Sequence, residues 1–62
     1  MKARNLTRIM LVQLSKKVAK TFNIKDFTEY GYTKNTTDEL VIMNKKDGSI
    51  ISIDKRMYNL SF

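Results

Sequence analysis

Sixty-two residues with no cysteine and no histidine make one domain at most. Disulfides, thiolate or imidazole zinc sites, iron–sulfur clusters and Ser–His or Cys–His nucleophiles are excluded. Twelve Lys and Arg against six Asp and Glu give a net charge of +6, and residues 1–25 hold seven of those cations and no acid.

A chain this short buries only about 60% of the surface its unfolded form exposes. With disulfides and such metal sites excluded, self-association is the remaining common support for so small a core. The basic first part, joined to a nearly neutral remainder, has two readings. It can meet a polyanion through steering and counterion release, or it can simply solvate a helix face.

Residues 4–22 are predicted to form a helix, with either Asn5 as its N-cap or a frayed start at Lys2. At 100° per residue, Thr7, Met10, Leu11, Leu14, Val18 and Phe22 share one face. Leu11, Leu14, Val18 and Thr21 also follow a heptad pattern that continues back to Thr7 and Arg4. Ile9 and Val12 lie off this stripe and Leu6 lies at its margin, so the first half of the helix is apolar nearly all round. A helix in a small monomer covers one stripe against its own sheet. Leu6, Ile9, Met10, Leu11, Val12, Leu14 and Val18 are therefore the expected oligomer interface. Gln13, Lys16, Lys17 and Lys20 occupy the opposite face of the second half, where cations also suit the helix dipole. Arg4, Arg8, Lys16, Lys17 and Lys20 form the candidate polyanion-binding set.

Asn23 tolerates the left-handed conformation and is the expected end of the helix. Residues 27–33 carry aromatic and β-branched side chains and read as a strand, with Gly31 marking a bulge or a close backbone approach. Residues 34–38 are a polar turn. Residues 39–44 and 49–54 are strands joined through Asp47-Gly48, a hairpin signal that leaves a loop of two or of four residues open. Apolar neighbours in both strands give the sheet two apolar faces. Residues 57–62 alternate apolar and polar and read as a fourth strand. The fold class is α+β: one N-terminal helix followed by a small antiparallel sheet, with helices of several subunits associating as a coiled-coil-like bundle.

Catalytic constellations are missing. Asp38 and Glu39 are adjacent beside a strand, where neighbouring side chains point to opposite faces. Residues 44–48 look faintly like a calcium loop, but two lysines stand where oxygen ligands are required. No phosphate loop or dinucleotide fingerprint is present, so no cofactor and no enzyme activity are expected. Phe27, Tyr30 and Tyr32 beside lysines could stack bases, although aromatics at strand spacing are more often core. No stretch approaches the roughly 20 apolar residues of a membrane span, and no secretory signal is recognisable. A cytoplasmic setting without a membrane partner is the expectation.

Lys2-Ala3-Arg4-Asn5-Leu6-Thr7-Arg8-Ile9-Met10, the lysine-rich helix end and Lys55-Arg56-Met57-Tyr58-Asn59-Leu60-Ser61-Phe62 resemble the YonK family of small temperate-phage proteins. The resemblance covers the whole chain without a diagnostic motif. It implies a high-order homo-oligomer whose helices form a coiled-coil-like bundle capped by β structure. It brings no established activity and no functional residues. Two functions follow as expectations. One is a non-enzymatic homo-oligomeric phage accessory protein, above a dimer, that binds a host protein. The other is a nucleic-acid-binding oligomer.

Overall fold

The expected helix at 4–22 begins later and breaks earlier than its apolar stripe. The computed structural model describes residues 2–62, and in it Arg4–Asn5 form a two-residue strand, β1. Thr7 is the N-cap in place of Asn5: its backbone is extended and its hydroxyl accepts from the Met10 N–H at 3.4 Å. Helix α1 spans Arg8–Lys17. At Val18 φ widens to −113°, and a single further turn, α2, follows over Ala19–Phe22. Asn23 then stops the chain with φ 54° and ψ 44°, and the Ile24 N–H closes back on the Ala19 carbonyl at 3.0 Å.

The predicted strand at 27–33 is a composite. Asp26 accepts from the Thr28 N–H at 3.0 Å and caps a 3-10 turn over Phe27–Glu29, and only then does strand β2 run over Tyr30–Asn35. Strands β3, Glu39–Asn44, and β4, Ile50–Asp54, complete an antiparallel sheet in the order β1-β2-β3-β4. Tyr32 pairs with Arg4 on one side and Ile42 on the other. The register slips between Tyr32 and Lys34, so the bulge lies beside Gly31 rather than at it.

Inside the closing pair Asn44 and Ser49, the β3–β4 loop has four residues, 45–48. The Asn44 N–H reaches the Ser49 carbonyl at 2.8 Å, and the Gly48 N–H reaches the Asn44 carbonyl at 2.8 Å. Side chains satisfy the rest: Asn44 accepts from the Lys46 N–H and Asp47 from the Ser49 N–H, each at 2.8 Å. Gly48 supplies the left-handed φ of 77°.

Two layers enclose one core. Leu40, Ile42 and Ile53 on the inner sheet face meet Met10, Leu14 and Val18 of the helical layer and Phe27 of the 3-10 turn, and all are buried. Ile51 is half-buried on the same face. Ile50 points outward and is 65% exposed.

The last expected strand, 57–62, does not form. Asp54 accepts from the N–H groups of Arg56 at 2.9 Å and Met57 at 3.3 Å, which starts a tight turn instead. Asn59 ends that turn with φ 53°, and the Leu60 N–H returns to the Lys55 carbonyl at 2.9 Å. The reversal packs Tyr58, Leu60 and Phe62 against the core. Their alternation therefore reflects core packing without a ladder.

Candidate interaction surfaces

The seven expected interface residues separate into two groups. Met10, Leu14 and Val18 are buried in the chain's own core, and Leu6 and Leu11 pack half-buried against it. This corrects the intersubunit seam: the heptad positions Leu14 and Val18 are already occupied within one chain. Helix α1 has ten residues and is the only helix longer than one turn among the described residues. The expected coiled-coil bundle is thus replaced by a helix packed on its own sheet, as an amphipathic stripe requires.

Ile9 and Val12 remain outside. They are 54% and 46% exposed on the outer face of α1. Helical spacing puts Arg8 one turn before Val12 and Lys16 one turn after it, both exposed. The outer stripe is an apolar pair with a cation at each end.

The basic residues also divide. Lys17 donates to the Asn59 carbonyl at 2.7 Å, and Gln13 exchanges two hydrogen bonds of 2.8 Å with Ser61. Both residues therefore clamp the C-terminal segment onto α1, and Lys17 already has an acceptor. Arg4, Arg8, Lys16 and Lys20 are exposed. Arg4 lies apart from the helical cations, on β1. There Lys2, Arg4 and Lys34 line one shallow groove together with Tyr32, Thr33 and Asn35. Neither Lys2 nor Lys34 belongs to the set expected from the sequence, because only sheet pairing brings β1 beside β2.

Ion pairing engages few of the cations. Among the described residues three of the twelve Lys and Arg side chains lie within pairing distance of a carboxylate: Lys34 with Glu39 at 2.9 Å, Lys46 with Glu29 at 3.1 Å and Arg56 with Asp38 at 2.9 Å.

Lys55 was invisible as a special residue in the sequence. It is buried to 4% exposure, and its ammonium donates to Asn35 Oδ1 and the Thr36 carbonyl, each at 2.8 Å, and to the Phe62 carbonyl. The same ammonium stands 4.9 Å from the Phe62 ring centroid. Three donors meet three acceptors, so the charge is satisfied by oxygen dipoles. An Asp-Lys-Arg turn in sequence carries no signal of this.

The carboxylates are arranged as hydrogen-bond acceptors. The Lys34 ammonium, and then the Ser52 hydroxyl at 2.8 Å, hold the Glu39 carboxyl below its ordinary range. Thr28, through its hydroxyl and N–H, does the same for Asp26, and Ser49 does it for Asp47. Groups held in this way stay ionised near neutrality and do not serve as proton donors there. Among the described residues no three acidic side chains converge to hold a metal ion, and no helix is long and apolar enough to cross a membrane. No family model, curated protein or solved structure matches the chain.

Proposed function

We propose that this chain is a non-enzymatic interaction subunit that acts as a homo-oligomer. One observation carries the reading: after the core is filled, the apolar side chains Ile9 and Val12 on the helix and Ile50 on the sheet still face outward. Burying a side chain of this size is worth about 1.5–3 kcal/mol, and a second protein surface is the means of doing so. Because the helical pair and Ile50 lie on different layers, two contacts per subunit are available, which supports assembly beyond a dimer. The resemblance to small phage proteins supplies the setting, an accessory subunit in a host cytoplasm with a host protein as its target. Sedimentation equilibrium tests the reading. Association is expected at micromolar concentration, and a folded monomer there overturns it.

A second reading has its own observation. Lys2, Arg4 and Lys34 line one groove beside Tyr32, while Arg8, Lys16 and Lys20 stand exposed on the helical layer. That pattern supports nucleic-acid binding through phosphate contacts, while Tyr32 itself packs half-buried against the core. Fluorescence anisotropy of a labelled single strand, repeated over a salt series, tests it. Arg4→Ala should reduce the slope of log K against log salt by about 0.7, the share of one single-strand phosphate contact. No binding at low salt removes the reading.

A further inference from the structure

The two edges of the sheet are built differently. Strand β1 is a two-residue edge that contains Arg4 and has Lys2 beside it, a short and charged edge of the kind that resists pairing. Strand β4 has five residues, Ile-Ile-Ser-Ile-Asp, with no proline, no cation and no register shift against β3. It is the edge without protection.

The register shows which of its backbone groups are free. The ladder between β3 and β4 is bounded by the bond from Asn44 N–H to Ser49 and the bond from Lys55 N–H to Asp38. Antiparallel pairs alternate between bonded and non-bonded, so Ser49, Ile51, Ile53 and Lys55 bond inward to β3. Ile50, Ser52 and Asp54 therefore aim their N–H and C=O groups at the open edge. The Asp54 carbonyl is taken by the Tyr58 N–H at 3.4 Å. Both backbone groups of Ile50 and of Ser52 remain.

We infer that β4 pairs with β4 of a second copy of this chain, antiparallel, with Ile50 opposite Ser52 of the other copy and the two Ile51 residues facing each other across the two-fold axis. This register uses the free groups of Ile50 and Ser52 in four hydrogen bonds. A slip that sets Ile50 opposite Asp54 would need the carbonyl already taken and would place a carboxylate against an isoleucine. The chosen register brings the two outward Ile50 side chains to diagonal positions on the outer face, where each covers the other. On the inner face Ile51 meets its copy and joins the two cores. The product is an eight-stranded sheet with both helices on one side. The contact is short and falls at the low end of interface sizes, so it forms in a concentration-dependent way.

The inference deepens the self-association reading and rests on it. The absence of cysteine makes the test direct, since one introduced cysteine is the sole thiol. Under mild oxidation Ile51→Cys should form a disulfide-linked dimer, because directly opposed non-bonded residues lie within disulfide reach. Asp54→Cys, far from its copy in this register, should stay monomeric on non-reducing gels. Ile50→Lys alters an exposed side chain and should weaken self-association at least about tenfold in sedimentation with an unchanged circular dichroism spectrum. Equal cross-linking of both cysteine variants, or an Ile50→Lys protein that associates like the parent, overturns the β4 contact and leaves the broader reading standing. A parent chain that is monomeric at every concentration overturns both.

Discussion

Lys55 shows how a single residue can organise a terminus. Its ammonium reaches the β2–β3 turn through Asn35 and Thr36 and the C-terminal segment through Phe62. Burial of an ammonium is costly unless its donors are satisfied, and here all three are. Lys55→Met keeps the apolar stem and removes only the donors. Denaturant unfolding should show a loss of about 1–3 kcal/mol, and the Leu60 N–H should exchange faster with solvent. An unchanged midpoint would mean that the ammonium's desolvation cost cancels its hydrogen bonds. Thr7, Asp26 and Asp54 work at the same scale as local caps, each accepting backbone N–H bonds within a few residues. Such acceptors act within a few residues, yet the cap expected at the helix start was Asn5, and Thr7 holds that place instead. The role of Lys55 joins residues far apart in the chain, and no local pattern encodes it.

Among the elements, β1 depends on an absent side chain. A Cβ at Gly31 would stand 2.7 Å from both Ala3 Cβ and the Arg4 carbonyl oxygen. Those contacts are closer than real Cβ atoms tolerate, so the close approach expected at Gly31 is what docks β1. Gly31→Ala should push β1 off the sheet and cost about 1–3 kcal/mol in chemical denaturation, the range of an overpacked site. Faster hydrogen exchange at Arg4 and Asn5 would locate the change, and wild-type stability would show that β1 is dispensable. The hairpin was legible because Asn44, Asp47 and Gly48 satisfy their own turn. The start of the helix was not, since strand pairing with β2 claims Arg4 and Asn5, residues a helical stripe would otherwise include. The alternation at 57–62 was misleading for a related reason: Tyr58, Leu60 and Phe62 pack under the helix and sheet without any ladder.

The whole molecule has a radius of gyration of 10.4 Å, close to the roughly 10.5 Å of a compact chain of this length. A helix layer on one sheet face leaves the second face and the outer helix to solvent or to partners. Leu11 packs inward, so a charge placed there would report on folding. Ile9 and Val12 face outward and report on assembly. Ile9→Lys combined with Val12→Lys should leave the circular dichroism spectrum intact and reduce the assembly to no more than a dimer in sedimentation equilibrium. Unchanged stoichiometry would remove the helix face from the interface.

The sequence by itself determined the helix from residue 8, the strands at 39–44 and 50–54 with a hairpin between them, the basic bias of the first part and the surplus of apolar side chains. These follow from periodicity, turn chemistry and composition, which act over a few residues. The four-residue loop and the 3-10 turn at Phe27–Glu29 were decided by the structure. The tertiary structure decided which apolar residues the surplus comprises. Leu14 and Val18 went to the core, and Ile9, Val12 and Ile50 stayed outside. It also gathered Lys2, Arg4 and Lys34 into one groove, engaged Lys17 at the tail and buried Lys55. The physical reason is common to all of these: a helical stripe has room for one neighbour, and which side chains meet that neighbour depends on strand register and chain reversal. Both are set by contacts between residues distant in sequence.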